Sequence, residues 1–323
     1  MKAGVAGENG LSIAEVERPA PGPEQVLVKV VAAGMNRADL NAARGAGVAS
    51  KASLGRPIGM EWAGEVVELG TGVTGLAVGD RVMCSGSGGY AEYAVADMGR
   101  TMRLAASGPE LERAAVLPLA LMTADDALVT NGRMQQGDDV LVHGASSAVG
   151  LMTLQIARLK GARTIAATSG DAGRRARLAE FGATHPVDPN EAGWAESLAE
   201  QVGGDGIDVA VDMVSGAGIK ALMKLAAVRG RIVNVGRLGG TKAEFDFDLH
   251  AAKRLNYIGV TFRTRSLAEI RAIAAKVRDD LWDDIAAGRL SLPIDRSFAL
   301  DDALAAHEHM AANRHFGKIV LIP

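Results

Sequence analysis

Val140-Leu141-Val142-His143-Gly144-Ala145-Ser146-Ser147-Ala148-Val149-Gly150 sets an apolar run, a loop of small residues and the start of a helical pattern in immediate succession. An apolar run of that length bounded by turn residues reads as a strand buried on both faces. The apolar spacing over residues 148–160 reads as a helix that stops at Gly161. A dinucleotide pyrophosphate requires bare amides at a helix amino end, a tight turn of small residues and a Gly where helix crosses strand. Gly144, residues 145–148 and Gly150 can supply all three. The strict three-glycine fingerprint is absent, so alone the loop fits an ordinary tight strand-to-helix turn equally well. Its surroundings favour the nucleotide.

Toward the carboxy terminus the beat of strand and helix repeats. Apolar runs lie at 164–168, Val209-Ala210-Val211, Ile232-Val233-Asn234-Val235 and Tyr257-Ile258-Gly259-Val260, with helical patterns over 173–181 and about 219–227 between them. Short apolar runs joined by helical crossovers imply a doubly wound parallel sheet. A long helix over 267–287, a strand around Ser297-Phe298, a helix over 301–312 and a strand over 318–322 follow, and this tail is expected to return partly to the first domain.

The amino-terminal part has period two instead. Strands are expected at 11–16, 25–32, 61–69, 81–84 and 90–95, with Pro19, Pro21, Gly22 and Pro23 forcing an extended turn. Asn36, followed by Asp39, predicts a capped short helix running to about Arg44. The fold class is therefore α/β: a mainly-β domain over 1–118, completed by about 290–323, and a doubly wound domain over 119–289.

The composition limits the function classes. The 323 residues carry 35 Lys plus Arg against 38 Asp plus Glu, a net charge of -3 with no block of like charge, which disfavours a nucleic-acid partner. No basic-then-apolar leader opens the chain, and runs such as 114–122 fall far short of the ~20 residues a membrane span needs, so a soluble, cytoplasmic protein is expected. One cysteine, Cys84, excludes an internal disulfide and a four-cysteine zinc lobe.

Roughly 20 residues past the loop an NAD-selective site would carry an acid on the ribose. Here stand Thr168-Ser169-Gly170, with Arg174, Arg175 and Arg177 following. Small hydroxyl residues near guanidinium groups suit a 2′-phosphate, which favours NADPH over NADH, although Asp171 puts an opposing charge in the same loop. Other reactive residue types have blander readings. His143 ends a buried strand and reads as a satisfied core residue, and His307 and His309 point to different sides of a helix. Cys84 reads as a small buried hydrophobe, and the acidic pairs Asp279-Asp280 and Asp283-Asp284 as a solvated face.

Several further motifs, in order, resemble the medium-chain dehydrogenase/reductase superfamily, specifically its zinc-free quinone oxidoreductase branch. They are the prolines and Gly22 before Gln25-Val26-Leu27-Val28-Lys29-Val30; Met35-Asn36-Arg37-Ala38-Asp39-Leu40 with Gly45; Pro57-Ile58-Gly59-Met60-Glu61 with Gly64; Val78-Gly79-Asp80-Arg81-Val82; Gly137-Asp138; and the ending Asn313-Arg314-His315-Phe316-Gly317-Lys318-Ile319-Val320-Leu321. The resemblance covers essentially the whole chain and implies a GroES-like catalytic domain joined to a Rossmann domain. In zinc alcohol dehydrogenases the positions matching Asn36 and Met60 are a metal-binding Cys and His. With an amide and a thioether there, Glu61 alone cannot build a three-ligand site, so no metal is expected.

The resemblance also implies roles position by position. Asn36 faces the substrate and the nicotinamide ribose, and Thr123 lies beneath the nicotinamide. Ser146, Ala148 and Val149 cradle the pyrophosphate; Ser169, Gly170 and Arg174 form the adenosine-phosphate pocket; Val235, Gly236, Arg237 and then Thr261, Phe262, Arg263 form walls; and Lys318 closes on the cofactor. Asn41 and Gly47 fill the places where many relatives carry an active-site Tyr, which makes Asn41 the second catalytic candidate after Asn36. Pro189 replaces a Tyr that often lies by the adenosine phosphate. The implied activity is NADPH-dependent reduction of small quinones or enones by direct hydride transfer in the interdomain cleft, by a homodimer joined through the Rossmann sheet edge at Tyr257-Ile258-Gly259-Val260. An enoyl-thioester reductase, or a non-catalytic crystallin-like nucleotide-responsive protein, are the rivals.

Overall fold

The run Val140-Leu141-Val142 is fully buried because its strand, Asp139–His143, lies inside a six-stranded sheet whose faces are covered by helices. The computed structural model describes residues 1–7, 10–43 and 54–323. It divides into two compact units, Met1–Leu119 with Arg265–Pro323, and Ala120–Thr264.

The second unit holds the parallel sheet. Its strand order is His185–Val187, Thr164–Thr168, Asp139–His143, Ile207–Asp212, Ala226–Asn234, Asn256–Gly259, every neighbouring pair parallel. Chain order reverses between Asp139–His143 and Ile207–Asp212, where His143 pairs with Asp212. In doubly wound sheets ligands bind beyond the strand carboxyl ends at such a reversal. Helix Ala148–Leu159 buries Leu151, Met152, Leu154 and Ile156, while its polar Thr153 and Gln155 bond back to the Val149 and Leu151 carbonyls. Leu198 of helix Trp194–Val202 and Leu222 and Met223 of helix Ile219–Leu225 pack with Leu141, Ala210 and Ile232.

The first unit is built on a seven-stranded sheet in which Gln25–Gly34 pairs antiparallel with both Glu61–Leu69 and Tyr93–Asp97. Val26, Val28, Val30, Trp62, Val66 and Val82 alternate into one core with Ile319 and Leu321. The last strand, Lys318–Ile322, joins this sheet antiparallel to Gln25–Gly34, with Val320 opposite Gly34.

The structure departs from the sequence expectations at several places. The second unit ends at Thr264 rather than 289, because helix Leu267–Ala286 packs on the first unit. There Arg271 donates to Asp97 at 2.9 Å and to Glu24 at 2.9 Å, and a Cβ on Gly99 would stand 2.6 Å from Arg271 Cγ. The helix expected over 219–227 stops at Leu225, since Ala226 turns to extended backbone and pairs with Ile207. That over 173–181 is a short helix Ala172–Ala176 and a 3-10 turn Leu178–Phe181. The helix after Asn36 spans Arg37–Ala43, but its cap runs backward: Asp39 Oδ2 accepts the Asn36 N–H at 2.8 Å. Arg44, Gly45 and Gly47 lie outside the described residues.

Candidate active site

In the second unit the loop after Asp139–His143 is shaped by its glycines. Gly144 has φ 84, a left-handed conformation that a side chain strains. A Cβ on Gly150 would stand 2.6 Å from the Ala145 carbonyl oxygen, so only Gly lets the helix pass this close. Ser147 caps the helix, accepting from the Gly150 N–H at 3.1 Å and donating to the Gly144 carbonyl at 3.1 Å. Among the first-turn amides this leaves those of Ala148 and Val149 for an anion. These residues and Ser146 are half-buried on the loop.

His143 behaves as a core residue. It is buried, its Nδ1 lies 2.9 Å from Thr168 Oγ1, and it stacks on Trp194 at 6.0 Å. Burial pushes its pKa down, which keeps the ring neutral.

The loop after Thr164–Thr168 carries Ser169, buried, and Gly170, exposed. Asp171 Oδ1 caps the following helix by accepting the Arg174 N–H at 2.8 Å, and lies 4.0 Å from Arg174 Nε. Its charge is thus engaged by the helix and by the very arginine expected to read a phosphate. Arg175 donates to the Ser169 carbonyl at 2.9 Å and to Asp188 at 2.8 Å, and Arg177 pairs with Glu180 at 3.2 Å. Next to Pro189, Asn190 was not singled out by the sequence. A Cβ on Gly170 would meet its Nδ2 at 2.5 Å, so Gly170 makes room for an amide beside the candidate pocket.

Val235 and Gly236 follow Ala226–Asn234, and their N–H groups donate to the Asp212 carbonyl at 2.9 and 3.1 Å. Arg237 borders a cavity of 190 Å³ together with Ser215, Asn234 and Tyr257. After Asn256–Gly259, Thr261 Oγ1 accepts the Arg263 N–H at 3.2 Å; Thr261 and Phe262 are half-buried and Arg263 exposed. Thr123 is half-buried in helix Pro118–Asp125. The loops after Thr164–Thr168, Asp139–His143, Ala226–Asn234 and Asn256–Gly259, strands on either side of Ile207–Asp212, therefore all lie at the carboxyl end of the parallel sheet.

The first unit holds a second constellation. Asn36 Nδ2 donates to Glu61 Oε1 at 3.0 Å, while Asn36 Oδ1 accepts from Lys318 Nζ at 2.9 Å. Lys318 also pairs with Glu61, and both side chains are buried. Glu61 Oε2 accepts the Leu119 N–H at 2.8 Å. Beside them Asp39 Oδ2 accepts from Tyr90 Oη at 2.8 Å, and its buried Oδ1 has no hydrogen-bond partner. Lys318, which the resemblance placed on the cofactor, here holds Glu61 and Asn36. Asn41 is exposed on the helix and takes no part in this network. Sequence reasoning missed Tyr90, whose only signal was an aromatic after paired glycines.

Burial raises the Asp39 carboxyl to about 7, against the opposing pull of Tyr90, the Asn36 amide and Lys318, with Glu61 adding to the rise. A carboxyl whose folded pKa lies above its unfolded value stays protonated in the folded state while the unfolded chain ionises, so it lowers stability as pH rises from about 4 to about 7. Urea unfolding across that range should show wild-type stability falling relative to Asp39→Asn. Parallel curves would refute this protonation.

Cys84 is buried 3.7 Å from Thr101 Oγ1, and its thiol is pushed up to about 12 by burial, so it is no nucleophile. His307 is buried edge-on to Tyr90, and His309 bonds Asp295 at 2.7 Å. Asp280 pairs with Lys276, and Asp284 with Arg289. Among the described residues no cluster of three or more His, Cys, Asp or Glu could hold a metal ion.

Comparison with known proteins gives two family matches: "Alcohol dehydrogenase GroES-like domain" over residues 22–106 and "Zinc-binding dehydrogenase" over 148–277. A quinone oxidoreductase of Rattus norvegicus is 31% identical over 311 residues, which are 95% of this chain and 92% of that protein. A mycocerosic acid synthase-like polyketide synthase of Mycolicibacterium smegmatis is 32% identical over 320 residues, 96% of this chain but only 15% of the synthase. A solved mycobacterial protein complexed with NADPH superposes with a TM-score of 0.87 at 26% identity, covering 100% of both chains.

Proposed function

We propose, because the chain belongs to the medium-chain dehydrogenase/reductase superfamily and to its quinone oxidoreductase branch, that it reduces small quinones or activated enones with NADPH and without a metal. The observation that carries the cofactor reading is the loop of Gly144 and Gly150, where small residues and two open helix amides make a cradle that a Cβ would fill. When bound, NADPH supplies the hydride from nicotinamide C4. The Ala148 and Val149 amides and Ser146 hold the pyrophosphate, and Ser169, Gly170 and Arg174 hold the 2′-phosphate. Thr123, Val235-Gly236-Arg237 and Thr261-Phe262-Arg263 fix the nicotinamide. Asn36 faces the acceptor with its amide orientation set by Glu61 and Lys318, and Asn41 lies on the helix that Asn36 precedes.

The metal-free reading rests on side-chain chemistry. Asn36 and Met60 stand where zinc relatives have ligands, and the remaining carboxylate, Glu61, is already neutralised by Lys318. Without a Lewis acid an alcohol oxygen is not polarised, whereas an electron-poor quinone or enone accepts hydride unaided. Elemental analysis of active protein should find no stoichiometric zinc. Zinc at one per chain, with activity lost on chelation, would refute it.

The polyketide-synthase relative supports a second reading, an enoyl-thioester reductase. Steady-state assays across quinones, enones and enoyl thioesters with both nicotinamide cofactors decide between them. Turnover of quinones or enones with NADPH is the expected result, and turnover confined to enoyl thioesters would transfer the assignment.

No helix among the described residues is long and apolar enough to cross a membrane. Strand Asn256–Gly259 ends the parallel sheet with Tyr257 44% exposed and Phe247 77% exposed nearby, an edge that a second copy would cover. Light scattering at micromolar concentration should therefore read about 67 kDa, twice the 33.4 kDa chain. A single 33.4 kDa species would refute the homodimer.

A further inference from the structure

The loops after strands Ile207–Asp212 and Ala226–Asn234 are laced together more heavily than a chain reversal requires. Besides the two amides on the Asp212 carbonyl, the Gly239 N–H donates to the Val214 carbonyl at 2.7 Å. Asp212 Oδ1 accepts the Val214 and Ser215 N–H groups, each at 2.9 Å. Ser215 sits at the centre of this lacing, buried, with φ 59 and ψ -147. That conformation is close to one essentially reserved for glycine, and a side chain persists there only where its surroundings over-determine it. The Ser215 hydroxyl donates to the Gly236 carbonyl at 2.7 Å and accepts from Asn234 Nδ2, which also reaches the Gly236 carbonyl at 3.3 Å.

Gly236 has no side chain with which to anchor itself and no room for one, since a Cβ there would stand 2.3 Å from the Met213 carbonyl oxygen. Gly239 is equally confined, with 2.8 Å from a Cβ to Val214 Cγ1. A glycine segment has the most conformational freedom to lose on ordering, so its position must be imposed by neighbours. The Asp212 carbonyl holds the Gly236 N–H, and the strained serine makes the shorter of the two side-chain bonds to the Gly236 carbonyl.

We propose that Ser215 is a positioning residue for the nicotinamide-side loop Val235-Gly236-Arg237. Its hydroxyl fixes the Gly236 carbonyl, and the backbone strain at Ser215 is retained because a glycine there could not make that bond. The proposal rests on the reading of this loop as part of the NADPH site.

Two variants separate strain from bonding. Ser215→Gly relieves the backbone and removes the hydroxyl, so it should melt at or above the wild-type temperature. Ser215→Ala keeps the strain and loses the bond, and should melt below it. Both should weaken NADPH about 10-fold in a fluorescence titration, the scale of a lost buried hydrogen bond. In protein without nucleotide, both should speed amide hydrogen exchange at Gly236 and Gly239. A merely structural serine would make affinity follow stability, whereas here Ser215→Gly gains or holds stability while losing affinity. Ser215→Gly with wild-type affinity and unchanged exchange would overturn the proposal. Failure of wild-type protein to bind NADPH would instead overturn the reading of the site on which it rests.

Discussion

Lys318→Met should destabilise the protein by about 3–5 kcal/mol, because it leaves the Glu61 carboxylate buried without its cation. Glu61 and Lys318 come from strands Glu61–Leu69 and Lys318–Ile322, and neither side chain reaches solvent. Taking two charges out of water is expensive, and their attraction offsets that cost only while both are present and their remaining sites are bonded. They are: Glu61 Oε2 holds the Leu119 amide at 2.8 Å and Lys318 holds Asn36 at 2.9 Å. Methionine keeps the length of the lysine stem, so the loss measures charge rather than a cavity. Glu61→Gln in the Lys318→Met background removes the orphaned charge and keeps an oxygen for Leu119, so the double variant should recover most of the loss. Urea unfolding of the four proteins closes the cycle. A single variant within about 1 kcal/mol of wild type, or strictly additive losses, would show the pair to be energetically idle. The same cycle bears on chemistry, since Lys318→Met also unties the Asn36 amide that should face the acceptor.

What could be read from the sequence depended on how local its physical cause is. Strands Thr164–Thr168 and Glu61–Leu69 carry their own pattern, an unbroken apolar run in one and alternation in the other, and both fall where the pattern put them. The phosphate loop is contiguous, so its run of small residues and its two necessary glycines were visible in eleven consecutive residues, whereas the cap by Ser147 was not read. The outermost parallel strand, His185–Val187, was invisible because three residues with a central proline show no period, and an edge strand needs none. The allegiance of helix Leu267–Ala286 was misjudged because Arg271 finds its acids 174 and 247 residues away. The site in the first unit shows the same limit. Asn36 was legible as a residue at a ligand position, but that its amide is fixed by Glu61 and Lys318 depends on pairs 25 and 282 residues apart, which leave no spacing to read. Asp39 was expected to cap a helix and instead turns back to Asn36 and Tyr90, since a buried carboxyl takes whichever donors the fold brings to it.

Arg174→Ala should weaken NADPH by about 10- to 100-fold and leave NADH nearly unchanged, the scale of a charge-assisted contact worth roughly 1.5 to 3 kcal/mol. Of the neighbouring arginines, Arg175 is fixed on the Ser169 carbonyl and Asp188, and Arg177 pairs with Glu180; Arg174 stands in the helix that follows Ser169 and Gly170. Asp171, an acid in the same loop, caps the helix through the Arg174 backbone N–H at 2.8 Å. That bond survives truncation of the side chain. The unfolding midpoint of Arg174→Ala should therefore stay close to wild type, so that a change in cofactor affinity reports phosphate reading rather than a damaged loop. With the guanidinium gone, Asp171 loses the cation 4.0 Å from its Oδ1 and becomes a net repulsive charge toward a 2′-phosphate, which adds to the NADPH loss and cannot affect NADH in the same way. Titration of both nucleotides against both proteins checks this. Equal losses for NADPH and NADH would mean that Arg174 does not read the phosphate, and a wild-type preference for NADH would pass the selecting role to Asp171 as an acceptor for ribose hydroxyls.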